Sequence, residues 1–197
     1  MRYLFTLLFV NFCLAQDFYS EAATFQSELN ESYANADSSP LQEKDLKDFK
    51  GLDFYPITEE FYVKARFEKV KKSKPFEMKT STDRLPKYKI YAILYFTLND
   101  VEYKLNVYQN MDFIGKKGFD DYLFLPFSDL TSGNETYIGG RYLDMKIPEK
   151  RTKHVFINFN NAYNPYCAYN YKYSCPLVPL ENDLNVEIKA GVKKFHD

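Results

Sequence analysis

The sequence predicts a mainly β domain of α+β character: an antiparallel barrel or a pair of packed sheets, about eight strands in all, with one or two N-terminal helices. Three observations carry this. Aromatic residues, all Phe and Tyr, make up 18% of the chain and favour strands together with Val, Ile and Thr. Short stretches alternate apolar and polar residues and are bounded by Gly, Pro, Asn and Asp. No long helical pattern falls between these stretches, so successive strands are expected to run antiparallel.

Residues 1–15, MRYLFTLLFVNFCLA, combine one basic residue, Arg2, with an apolar run and the small-x-small sequence Cys13-Leu14-Ala15. This is the pattern of a signal peptide cleaved after Ala15, leaving Gln16 at the terminus. The run is shorter than the ~20 residues a membrane-spanning helix needs, and no second run is long enough to be a transmembrane segment. Lipid attachment at Cys13 would need a small residue before it, where bulky Phe12 stands. An exported protein, periplasmic or extracellular, is therefore expected. With 26 basic and 27 acidic residues the chain carries no strong field, which argues against nucleic acid or an anionic membrane as a partner.

Residues 16–39 read as a helix and linker, and residues 40–197 as one β-rich domain. Over residues 17–35, Phe18, Ala22, Phe25, Leu29 and Tyr33 share one helical face. Ser39 and Pro40 suit the start of a second, short helix that Gly51 ends. The first strand spans 61–70, with Phe61, Val63, Ala65 and Phe67 alternating. The basic run 69–74 reads as a solvated turn. A weak strand covers 76–82. Residues 90–98 and 101–107 form a hairpin on the two-residue turn Asn99-Asp100. Strands follow at 122–127, at 136–145 with a bulge or close approach at Gly139-Gly140, at 153–159, and at 184–188.

Chemistry concentrates in two stretches. Cys167 and Cys175 lie eight residues apart in a loop dense in Tyr and Asn. In an exported chain the default is a disulfide closing that loop, worth about 2–3 kcal/mol in the loop-entropy picture. The two histidines, His154 and His196, sit at no ligand spacing with them, so no metal or other cofactor is expected. In the second stretch Asp129, Glu135, Tyr137 and Arg141 surround a glycine-bearing turn. If alternation holds there, Tyr137, Gly139 and Arg141 share a face. Arg141 could clamp a ligand carboxylate or phosphate, or form a structural ion pair with Asp129 or Glu135.

PFSDLTSGNETYIGGRYLD (126–144) and NFNNAYNPYCAYNYKYSCPLVPLENDLNVEIKAG (158–191) resemble the bacterial and archaeal domain-of-unknown-function family 1684. That family's pattern runs TSGxETYGGGRYLD, then DFNxAYNPPCA, a second cysteine with proline, and ENxLxxxIxAGE. GLDFYPITEEFYVKARF (51–67) and the hairpin YFTLNDVEYKL (95–105) fit as well, so the resemblance covers about residues 40–195. It departs at Ile138, Asn158, Tyr166 and Val192, which replace a glycine, an aspartate, a proline and a glutamate. The resemblance implies no activity, only a shared candidate site.

The reading from these residues is a module that binds a small polar ligand at the cell envelope. Its candidate pocket residues are Glu135, Tyr137, Arg141, Asn160, Tyr163 and Asn164. The alternative is an enzyme, a hydrolase or isomerase, with Glu135 as acid or base or Cys167 as nucleophile. A third reading leaves the motif residues to tie loops together and a protein partner to dock on the N-terminal helix.

Overall fold

The structure is a computed structural model that describes residues 8–196, with side chains described from Phe18 onward. The expected signal peptide begins in residues 1–7, outside the described residues. Helix α1 (Leu8–Ala34) is followed by the short helix α2 (Glu43–Asp48) and seven strands. These are β1 (Tyr62–Lys69), β2 (Phe76–Glu77), β3 (Lys87–Leu98), β4 (Val101–Asn110), β5 (Tyr122–Phe127), β6 (Arg141–Lys146) and β7 (His154–Asn158). They form one antiparallel sheet in the order β6-β5-β4-β3-β1-β7, with β2 added beside β3. The sheet is curled into a half-barrel, the mainly β, antiparallel architecture that the sequence predicts.

The hairpin β3–β4 dominates the sheet. Its turn residues Asn99 and Asp100 take φ values of 50° and 61°, as a tight hairpin requires. The larger core fills the concave face: Leu94, Leu105, Leu125, Leu143 and Ile157 meet there from both halves of the sheet. Leu184 and Ile188 close it from the C-terminal segment. A second cluster, with Tyr88, Tyr108, Phe124 and Tyr142, covers the other face of β3 to β6. The stripe on α1 packs as its spacing predicts, with Phe18, Ala22 and Tyr33 buried.

Several elements differ from the sequence expectation, each because a side chain or turn takes the backbone bonds. Strand β6 begins at Arg141, since Gly140 at φ 79° ends a turn whose N–H donates to Tyr137 O at 3.0 Å. A Cβ at Gly140 would lie 2.5 Å from Phe127 O, so the two chains approach as only glycine permits. The expected strand 76–82 shortens to β2, because the Thr80 hydroxyl donates into the turn at Arg84 O, 2.7 Å away. Ser39 Oγ accepts the Leu41 N–H at 3.2 Å, so it holds the turn before α2 and does not cap the helix.

The expected last strand, 184–188, is absent. The segment runs extended over the turn after β5 instead: Leu184 N–H donates to Ser128 O at 2.8 Å, and Leu130 N–H to Val186 O at 3.0 Å. Further along, side chains replace a neighbouring strand. Ile188 N–H donates to Asp129 Oδ2 at 2.8 Å, and Arg141 Nη2 donates to Ile188 O at 2.8 Å. Arg141 Nη1 also reaches Ala190 O and Val192 O, and Nη2 pairs with Asp129 Oδ1 at 3.0 Å. Both side chains of this ion pair are fully buried. Asn182 does similar work where β4 and β5 splay. Its amide donates to Asn106 O at 2.9 Å and Pro126 O at 2.6 Å, and accepts from Asn106 N–H at 2.8 Å.

Arg141→Met strands the Asp129 carboxylate in the core, so it is expected to lower stability by about 3–5 kcal/mol. Arg66→Met, which breaks the half-exposed pair with Glu68, is expected to change it by no more than about 1 kcal/mol. Urea denaturation of the two variants checks the contrast.

Candidate functional site

The structure distributes the six candidate pocket residues over the molecule. Arg141 is engaged in the buried clamp, and burial pulls its guanidinium pKa down while Asp129 pushes it back up. Asn160 is buried and pairs with the backbone of Thr58 as a strand would, donating to its O and accepting from its N–H, each at 3.0 Å. Asn164 is buried and donates to Lys193 O at 2.9 Å. Glu135 lies at the surface, accepting from Tyr55 Oη at 3.1 Å and pairing with Lys189 at 3.3 Å. The hollow beside it is lined by Asp53, Asn134 and Lys193. Because 136–140 is a turn, Tyr137 and Arg141 do not share a strand face. Tyr137 Oη instead meets Cys167 Sγ at 3.9 Å. Tyr163 alone of the six lines the main pocket.

That pocket, about 420 Å³, lies on the outer face of the half-barrel. Its floor follows from strand alternation. On β5, Leu123, Leu125 and Phe127 enter the core, so Tyr122 and Phe124 face outward. On β6, Leu143 enters the core, and Tyr142 and Asp144 face outward with them. Tyr88 of β3 completes the floor. Phe25 and Leu29 of α1 make one wall. The cysteine loop makes the other, with Tyr163, Tyr166, Tyr173 and Cys175. Neighbouring rings meet at steep angles: 79° between Phe124 and Tyr142, and 88° between Tyr142 and Tyr163.

The hydroxyls of this pocket are already directed. Tyr122 Oη and Tyr163 Oη both donate to Asp144 Oδ1 at 2.7 Å. Tyr142 Oη donates to Pro176 O. Burial raises the pKa of all three phenols, with the Asp144 carboxylate adding to the effect at Tyr122 and Tyr163, so they stay neutral donors. Sequence reasoning missed Asp144, Tyr122, Phe124 and Tyr142. A signal for them existed in the alternate positions Tyr122/Phe124 and Tyr142/Asp144.

Cys167 and Cys175 are free thiols, so the expected disulfide is not formed in this structure. They are nevertheless neighbours, with the Cys167 N–H donating to Cys175 Sγ at 3.2 Å. Hydrogen bonding from Cys175, aided by Tyr137 and Ser81, lowers the Cys167 thiol to about 6. The bond to Cys167 and burial push Cys175 well up. The half-buried thiol is thus the ionised one and the buried thiol its donor. Among the described residues no three His, Cys, Asp or Glu side chains gather as metal ligands, and no helix is long and apolar enough to cross a membrane.

Because its pKa is lowered, the reactive Cys167 thiolate is present above that value and lost as pH falls through it. Its alkylation by iodoacetamide is expected to rise with a midpoint near pH 6, against ~8.5 for an ordinary thiol. Cys175→Ala removes the first donor and is expected to move that midpoint upward. Mass spectrometry of the Cys167 peptide across pH checks both.

No curated protein matches this chain. A solution NMR structure of the uncharacterized protein from gene locus rrnAC0354 of Haloarcula marismortui is similar, with 28% identity and a TM-score of 0.70. The similarity covers 90% of this chain and 95% of that one. The profile of the family described as "Protein of unknown function (DUF1684)" matches residues 47–193. That span takes in all seven strands, the buried clamp and both cysteines, and by it the chain belongs to this family.

Proposed function

We propose that the protein is a binding module that takes a small, largely aromatic or aliphatic molecule with one polar end into the outer pocket. The observation that supports this best is the pocket's make-up. Apolar rings form its walls, its volume falls in the range of ligand sites, and a single carboxylate stands oriented by two hydroxyls. Residues of a mere packing core would close on one another, yet here Tyr166 stays exposed, and Phe25 and Leu29 only half-buried, around open space. The polar-ligand reading from Glu135 and Arg141 thus moves to Asp144 and Tyr163.

We also propose export, on the strength of residues 1–15. Cleavage after Ala15 would leave every described side chain of α1, from Phe18 on, attached to the domain. A second reading, chemistry at Cys167, is favoured by its lowered thiol pKa beside the cysteine that lines the pocket. Substrate-like electrophiles that label Cys167 and are blocked by a pocket ligand would support it.

Two outcomes are expected. Titration of the full chain with indole, followed by amide chemical shifts, is expected to move pocket resonances saturably. Leu29→Trp, which fills the cavity from α1, is expected to abolish the shifts, and a wild-type protein whose pocket resonances do not respond would sink the binding reading. N-terminal sequencing of the protein recovered from outside the cytoplasm is expected to begin at Gln16.

A further inference from the structure

We infer that the ligand this pocket takes is an organic ammonium ion, seated among the aromatic rings and paired with Asp144. The inference rests on the pocket being a ligand site and concerns what that site selects. Three features of the pocket point the same way.

The first is charge. Asp144 is the one carboxylate among the described residues that line the pocket, and no Lys, Arg or His is among them. A bound anion would face that carboxylate, and the guanidinium of Arg84 beside the pocket is already engaged on Ser174 Oγ at 3.0 Å and Ser174 O at 2.8 Å. A bound cation would meet an opposite charge at the rim, beside low-dielectric walls that strengthen the attraction.

The second is the direction of the hydrogen bonds. A neutral phenol has one proton to donate. Tyr122 and Tyr163 donate theirs to Asp144 Oδ1, and Tyr142 donates to Pro176 O. What these three residues offer a guest is therefore lone pairs and ring faces, which are acceptors. A carboxylate or phosphate ligand needs donors. An ammonium ion, or a methylated ammonium that presents polarised C–H groups, needs acceptors. The two phenols on Oδ1 also fix the carboxylate, and among the described residues no donor meets Oδ2.

The third is ring geometry. Cations sit over the negative faces of aromatic rings, and a guest that touches several rings gathers several such faces. The Phe124–Tyr142 and Tyr142–Tyr163 pairs stand nearly perpendicular at 4.7 and 5.9 Å. Tyr166 and Tyr173 on the cysteine loop meet at 59° and 5.2 Å. Floor and wall thus set several aromatic rings around one acidic side chain.

The test uses the full chain and a matched pair of probes: choline and its uncharged isostere 3,3-dimethylbutan-1-ol, measured by calorimetry and by amide shifts. Choline is expected to bind about tenfold or more tightly than the isostere, and added salt is expected to narrow the gap. Asp144→Asn is expected to remove most of that preference. Tyr166→Leu, at an exposed ring that touches Tyr33 and Tyr173, is expected to weaken choline about threefold or more and the isostere less. Thermal melts confirm that both variants fold. Equal binding of the two probes overturns the ammonium assignment while the pocket stands as a ligand site. The same holds if neither probe binds but indole does. If neither they nor indole perturb the pocket, the ligand site itself falls. A preference that survives Asp144→Asn overturns the part assigned to the carboxylate.

Discussion

Everything on the concave side of this half-barrel depends on one buried ion pair. Asp129 and Arg141 lie at the ends of the glycine turn that joins β5 to β6, and they meet with both side chains fully enclosed. Neither charge is tolerable there alone. Together they satisfy the backbone of a third segment: Asp129 takes the Ile188 N–H, and Arg141 takes the carbonyls of Ile188 and Ala190. The C-terminal segment is thereby held across the open side of the sheet without being a strand. Ile188 and Ala190 then fill the core beneath. Thr131 adds its hydroxyl and N–H to Asp129 Oδ2, which fixes the turn itself.

Three asparagines extend the same device. Asn160, Asn182 and Asn164 are buried and present amides that imitate a peptide group. Asn160 pairs with Thr58, Asn182 bridges Asn106 and Pro126, and Asn164 ties Lys193 to the start of the cysteine loop. Each satisfies main-chain groups where the sheet ends or splays and no strand is available. The polar residues crowding the family's motifs are in large part this internal scaffolding. Their density marks where backbone pairing fails, while Tyr142, Asp144 and Tyr163 of the same motifs turn to the pocket.

Much of the β architecture was legible in the sequence, because strand periodicity and turn chemistry are local. Asn99-Asp100 and the alternation on either side announced the hairpin, and residues 122–127 are a strand with the expected bounds. The alternation at 184–188 was real, since Leu184 and Ile188 are buried. What periodicity cannot show is whether a neighbour's backbone or a side chain takes the N–H groups, and here Asp129 does. A structural ion pair of Arg141 with Asp129 or Glu135 was one reading of the sequence, and the partner is Asp129. The pocket was not legible, because Tyr142 and Asp144 alternate as solvent-facing residues do. Only the return of α1 and the cysteine loop, distant in sequence, converts that face into a cavity.

The family profile covers residues 47–193, while Phe25 and Leu29, which wall one side of the pocket, lie on α1 before it begins. The half-barrel and its clamp are thus separate in the sequence from one determinant of pocket shape. Helix α1 is held to the domain by its buried residues Phe18, Ala22 and Tyr33 and by polar links such as Gln26 to Asn160 O and Leu52 N–H to Asn30. A change of residue type at Phe25 or Leu29 alters the shape of the cavity without disturbing a single bond of the clamp. Within such an architecture, the shape of the cavity is free to vary while the half-barrel and its clamp stay as they are.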